Sequence, residues 1–121
     1  MEVSITNQKS PSSYLPLTEA TIYILLSLAP GSKHGYAIMK DVKGVSQGHI
    51  QLSASTLYTT LSRLLDKGLI ERVDDDGTEQ TRRLRKVYSL TETGLRVLEA
   101  ETLRMQSLVS AVMRRLGTEN A

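Results

Sequence analysis

Residues 53–72, SASTLYTTLSRLLDKGLIER, decide how the rest of the chain is read. Leu57, Leu61, Leu64 and Leu65 recur at helical spacing and form one apolar stripe, which predicts a helix. Ser53 stands where a hydroxyl can accept a hydrogen bond from a free N–H of the first turn. Gly68 follows Lys67 where a left-handed C-terminal residue is wanted. The residues after it, LIER, begin a strand. Away from the leucines the helix carries Ser55, Thr56, Tyr58, Thr59, Ser62 and Arg63. These side chains donate hydrogen bonds and bring no negative charge. Such a face suits a helix lying against nucleic acid, and it equally suits an ordinary amphipathic helix with a neutral polar surface. The flanking segments decide between the two.

Upstream, Thr18 is an N-cap for EATIYILLSL, a helix apolar nearly all round and closed by Pro30 and Gly31. A helix apolar on most sides is buried on most sides, as a central core element or one shared with a second subunit. Residues 34–42, HGYAIMKDV, predict a second short helix with Ala37, Ile38, Met39 and Val42 inward. A turn-rich link at 44–48 and a short strand at 49–52 then lead to Ser53. Two helices joined by a short link follow the helix-turn-helix plan. Downstream, LIERV and LRKVYSL are strands around the polar loop DDDGTEQT, a hairpin in the position of a wing. Thr91 caps a long helix in which Leu98, Thr102, Met105, Val109, Val112 and Leu116 alternate steps of four and three. That seam is the pattern of a helix packing along another helix.

The expected fold class is therefore mainly α with a small β-hairpin: a winged helix-turn-helix domain plus a long C-terminal dimerisation helix. Residues 1–13 are read as a flexible N-terminal arm, 14–90 as the winged helix-turn-helix domain, 91–116 as the dimerisation helix and 117–121 as a tail.

A chain of 121 residues fits one domain and buries a modest core, so self-association would add stability. No cysteine is present, which removes disulfides, thiolate nucleophiles and cysteine-type zinc sites and agrees with the cytoplasm. No apolar run reaches the roughly 18 residues a membrane span needs, and residues 1–13 lack the basic start and apolar stretch of a signal peptide. His34 and His49 have no neighbouring ligand at metal spacing. The acidic DDDGTEQ loop lacks the alternating ligands and terminal glutamate of a calcium loop. No nucleophile elbow, phosphate loop or dinucleotide fingerprint occurs. No enzyme activity, metal or cofactor is expected.

Net charge is only +2, so the distribution of charge matters more than its sum. Arg82, Arg83, Arg85 and Lys86 gather within five residues on the second wing strand, and Arg72 lies on the strand that pairs with it. Strand alternation sends Arg83 and Arg85 to one side and Arg82 and Lys86 to the other, leaving open which pair meets DNA. Asp74, Asp75, Asp76 and Glu79 in the turn would be repelled by phosphate. Arg63 can pair bidentately with guanine if it points inward; at the far end of its helix, phosphate is the more natural partner.

HGYAI at 34–38, STLYTTLSRLLDKGLIER at 55–72 and RRLRKVYSLTETG at 82–94, in this order and spacing, resemble the PadR family of bacterial transcriptional regulators. The resemblance covers roughly residues 14–116, and the single C-terminal helix is similar to the family's shorter subgroup, in which that helix forms the dimer interface. The resemblance implies a homodimer that represses a promoter and releases it when a small molecule binds. It places Thr56, Leu57 and Tyr58 in the reading helix, Tyr36 near phosphate and the basic strand residues in the wing. Some short relatives stack planar drugs between tryptophans; Met105 stands at the corresponding position here, so that mode is closed.

The expected function is sequence-specific binding of double-stranded DNA at an inverted repeat. The DNA-binding residues are Tyr36, Ser53, Ser55, Thr56, Tyr58, Thr59 and Arg63 with the wing cations Arg82, Arg83, Arg85 and Lys86. The seam from Leu98 to Leu116 forms the dimer interface and, around Leu98, Thr102, Met105 and Val109, a site for a small hydrophobic effector. The rival readings are a winged-helix module used only for protein contacts and a small-molecule-binding dimer with secondary DNA binding.

Overall fold

The computed structural model describes residues 10–73 and 86–117. The turn acids and Arg82, Arg83 and Arg85 lie outside the described residues, as does most of the N-terminal arm. Helix α1 spans Glu19–Leu28, with the Thr18 hydroxyl accepting from the Thr21 N–H at 3.1 Å. Helix α2 spans Gly35–Val45, later at both ends than its expected 34–42. Helix α3 spans Ala54–Asp66, capped by Ser53, whose hydroxyl accepts from the Thr56 N–H at 3.0 Å. Gly68 follows with φ +74, as the sequence requires.

Strands β1 (Lys33–His34), β2 (Ile70–Arg72) and β3 (Val87–Leu90) form an antiparallel sheet in the order β1-β3-β2. The expected hairpin is present as β2 and β3, with Ile70 opposite Leu90 and Arg72 opposite Tyr88. The strand expected at 49–52 is not formed. Ser46 instead holds this segment in a turn, its hydroxyl accepting from the Ile50 N–H at 2.9 Å. The free edge of β3 is completed from the other side, by Lys33 and His34 ahead of α2.

Ile24, Leu25, Leu28, Ile38, Val42, Leu57, Leu61 and Leu64 meet beneath Leu69, Ile70 and Tyr88. Helix α1 is central to this core, although Leu26 remains exposed. Helix α4 spans Glu92–Leu116 and is capped by Thr91. That threonine fastens α4 to the end of α3: its hydroxyl donates to the Gly68 carbonyl at 2.7 Å and accepts from the Gly94 N–H at 3.0 Å. Its own N–H donates to the Leu69 carbonyl. Gly94 packs directly on that carbonyl, where a side chain has no room.

Only the first part of α4 touches the core. Gly94, Val97 and Glu101 are buried, whereas no side chain from 102 to 116 is. Those 15 residues extend about 22 Å at 1.5 Å each. Pro11–Tyr14 form a 3-10 turn against α4, and Leu17 donates its N–H to Glu101 Oε2 at 3.1 Å. Arg104 grips the same carboxylate with two nitrogens, Nη2 donating to Oε2 at 3.0 Å and Nε to Oε1 at 2.5 Å. No helix among the described residues is long and apolar enough to cross a membrane.

Candidate nucleic-acid interface

The leucine stripe fixes which way α3 faces. With Leu57, Leu61 and Leu64 in the core, Ser55, Thr56, Tyr58, Thr59, Ser62 and Arg63 are all exposed. The hydroxyls are not equivalent. Ser53 is engaged twice, accepting from the Thr56 N–H and donating to Thr56 Oγ1 at 3.0 Å. Its capping duty leaves it poorly placed to read a base, while the Thr56 hydroxyl hydrogen stays free to donate outward. Ser55 and Thr59 bond to no side chain among the described residues.

Tyr58 is 45% exposed. Its ring lies over Gly35, the first residue of α2, and a Cβ there would stand 2.8 Å from Tyr58 Cζ. The glycine of HGY is thus where α2 admits the aromatic ring of α3. Tyr36 follows at once, exposed, with Lys40 Nζ 5.6 Å from its ring centroid. Sequence reasoning placed Tyr36 and Tyr58 on separate helices; the fold brings their elements together through Gly35.

Arg63 lies apart from this group. Seven residues separate it from Thr56, about 10 Å along the helix. With Lys67 it borders a hollow of about 200 Å³ against Tyr14, Thr18, Thr21 and Thr60. Arg63 is therefore beside the start of α1, away from the N-terminal end of α3. Lys86 is exposed immediately before β3. Among the described residues, no group of three or more His, Cys, Asp or Glu side chains could hold a metal.

The seam residues divide. Leu98 packs against the protomer's own core, and the exposed Thr102 turns its hydroxyl to the Leu98 carbonyl at 2.9 Å. Met105 is half-buried, whereas Val109, Val112 and Leu116 are exposed. A groove of about 460 Å³ runs along α4 on its other flank, lined by Ser12, Leu15, Pro16, Ala100, Leu103, Arg104 and Ser107.

Glu101 was not legible as a buried group. It is fully buried, and the Arg104 guanidinium bonded to it lowers its pKa below the ordinary carboxylate value. Burial opposes that shift and the Leu17 N–H adds to it. The signal was the spacing of Gly94, Val97 and Glu101, an inward face that the seam from Leu98 to Leu116 passes over.

Residues 24–100 match the model of the Transcriptional regulator PadR-like family. The chain is 34% identical over 94 residues to an uncharacterized 37.1 kDa protein in transposon TN4556 of Streptomyces fradiae, across 78% of this chain and 25% of that one. It spans less than half the length of the curated relatives it matches. Its fold is similar to a PadR family transcription regulator from Clostridium difficile, with a TM-score of 0.66 and 25% identity over 82% of this chain and 98% of that one. Bacillus subtilis PadR in complex with operator DNA is similar at a TM-score of 0.59 and 28% identity, over 71% of this chain and 46% of that one. The fold, the outward hydroxyl face of α3 and these matches converge, and the chain belongs to the PadR-like family of transcriptional regulators.

Proposed function

We propose that this protein is a homodimeric repressor that binds an inverted-repeat operator in double-stranded DNA. The observation that carries the DNA contact is the outward face of α3. From Ser55 to Arg63 it presents six exposed polar side chains with no carboxylate among them. Ser55, Thr56, Tyr58 and Thr59, at the N-terminal end, enter the major groove, while the wing grips flanking phosphate with one of its two cation pairs, Arg83 with Arg85 or Arg82 with Lys86. Phosphate contacts then set orientation and base contacts set sequence choice. Tyr36 belongs to this surface as well, and Ser53 supports it by shaping the first turn. The operator-bound relative from Bacillus subtilis supports the same reading.

The overhang of α4 supports the homodimer. A second copy packed along Met105, Val109, Val112 and Leu116 covers the apolar face that the protomer leaves open. A twofold pair of reading helices addresses half-sites a whole number of helical turns apart. Thr91 and Gly94 fasten α4 to Gly68 and Leu69, so the dimer angle is passed to the reading helix through the short turn that follows it. An effector seated between paired helices near Leu98, Thr102, Met105 and Val109 would alter half-site separation and release the operator. The protein acts without catalysis and works in the cytoplasm.

Footprinting on the region upstream of its own gene tests the reading. Protection of an inverted repeat, with affinity falling steeply as salt rises, is expected because released counterions drive such binding. Affinity that is flat against salt would sink it.

A further inference from the structure

The face of α2 opposite its core residues is cationic. Ile38 and Val42 are buried, and Tyr36, Lys40 and Lys43 turn away from them, all exposed. At 3.6 residues per turn, the steps of four and three keep these three side chains within about 60° of one another around the axis. Asp41, the helix's one carboxylate, lies about 100° beyond Lys40 and is half-buried. Neither lysine has a carboxylate partner among the described residues. The Lys40 ammonium stands over the Tyr36 ring at 5.6 Å, within the range of a cation–π contact.

This strip adjoins the reading helix. Gly35, one residue before Tyr36, lies beneath Tyr58 of α3. From Tyr36 to Lys43 the strip runs about 10 Å along α2, enough to follow successive phosphates of one strand. In helix-turn-helix proteins, the first helix of the pair crosses the DNA backbone while the second enters the groove.

We propose that Lys40 and Lys43 are phosphate-binding side chains that seat α2 across the DNA backbone, and that Tyr36 is a positioning residue whose ring holds Lys40 in place. This rests on the DNA-binding reading and adds to it an anchor independent of the wing. Charge decides the assignment between the three. An ammonium against phosphate displaces a condensed counterion, whereas a neutral phenol does not. The face of the Tyr36 ring is already occupied by Lys40, so its contribution passes through that lysine.

The test measures binding of the full chain to its upstream duplex and to an unrelated duplex of equal length, from 50 to 200 mM salt. Lys40→Gln and Lys43→Gln keep the aliphatic stems and remove the charge. Each should reduce the slope of log affinity against log salt by about 0.9 per phosphate contact, about twice that per homodimer. Both duplexes should be affected alike, because phosphate carries no sequence. Tyr36→Phe keeps the ring over which Lys40 stands and should weaken binding less than Tyr36→Leu. Tyr36→Leu should weaken binding, and adding Lys40→Gln to it should weaken binding no further than Lys40→Gln alone. Thermal midpoints should stay unchanged, since all three side chains are exposed. Lysine variants with wild-type slopes would overturn the strip. Tyr36→Phe as damaging as Tyr36→Leu would overturn the positioning role. A wild-type protein with a flat slope fails earlier, on DNA binding itself, so the two failures are distinguishable.

Discussion

Tyr58 of α3 rests on Gly35 of α2, so the aromatic residue of α3 and the glycine of HGY form one joint. Replacing Gly35 with Ala sets two effects against each other. Alanine favours a helix interior over glycine by about 1 kcal/mol and a first residue by less, but its Cβ would meet the Tyr58 ring, with Cζ at 2.8 Å. Because Tyr58 is half-exposed, its ring can swing away. Stability in thermal unfolding should therefore change by less than about 1 kcal/mol. Operator affinity should fall by about 1–3 kcal/mol if Tyr58 reads a base from its present position. Unchanged affinity would show that Tyr58 is not used in this pose.

Gly94 offers the opposite case, because its neighbour cannot move. A Cβ there would strike the Leu69 carbonyl oxygen and stand 2.8 Å from Leu90 Cδ1 and 3.0 Å from the Leu69 carbonyl carbon. That backbone is held by Thr91, and the clash falls where α4 joins α3. Gly94→Ala should cost about 1–3 kcal/mol of stability as overpacking, read as a lower denaturation midpoint. A variant as stable as the wild type would mean that the α3–α4 junction yields.

These two glycines show what could be read in the sequence. The helices announced themselves through their leucine spacing and caps, and Thr18, Ser53 and Thr91 cap as their hydroxyls foretold. The hairpin followed from two apolar runs around a polar loop. Strand β1 has no sequence signature, because Lys33–His34 is too short to display a period and is defined by its pairing with β3. Gly35 and Gly94 sit where contacts between distant segments decide, and local pattern holds no trace of such contacts. The outward face of α3 and its Ser53 cap were legible, but that Arg63 lies beside α1 emerges only from packing.

Glu101 makes stability depend on acid. Its carboxylate accepts from the Leu17 N–H and binds Arg104, which holds its pKa below the ordinary 4.5. The unfolded chain then binds the proton more readily than the folded one. The stabilisation is complete above about 4.5 and is lost as pH falls through the lower folded value. Glu101→Gln keeps an acceptor for Leu17 and should flatten this part of the stability–pH curve. Glu101→Ala leaves a backbone donor unsatisfied and should cost about 1–3 kcal/mol at neutral pH. Parallel acid limbs in wild type and Glu101→Gln would assign the dependence to other groups.

Val112 distinguishes a partnered helix from a solvated one. It is 46% exposed on the overhanging part of α4, more than two turns beyond the last buried residue, Glu101. In a lone protomer, Val112→Arg is a surface change on a helix and should alter stability by no more than about 0.5 kcal/mol. In a dimer paired along this face it places two guanidinium groups against an apolar seam and against each other. Sedimentation should then move from a dimer to a species of 13.4 kDa. The dependence of the thermal midpoint on protein concentration should disappear with it. Binding to the inverted repeat should also weaken, because the half-sites are no longer engaged together. An intact dimer would place the interface elsewhere and leave the apolar end of α4 to a different partner.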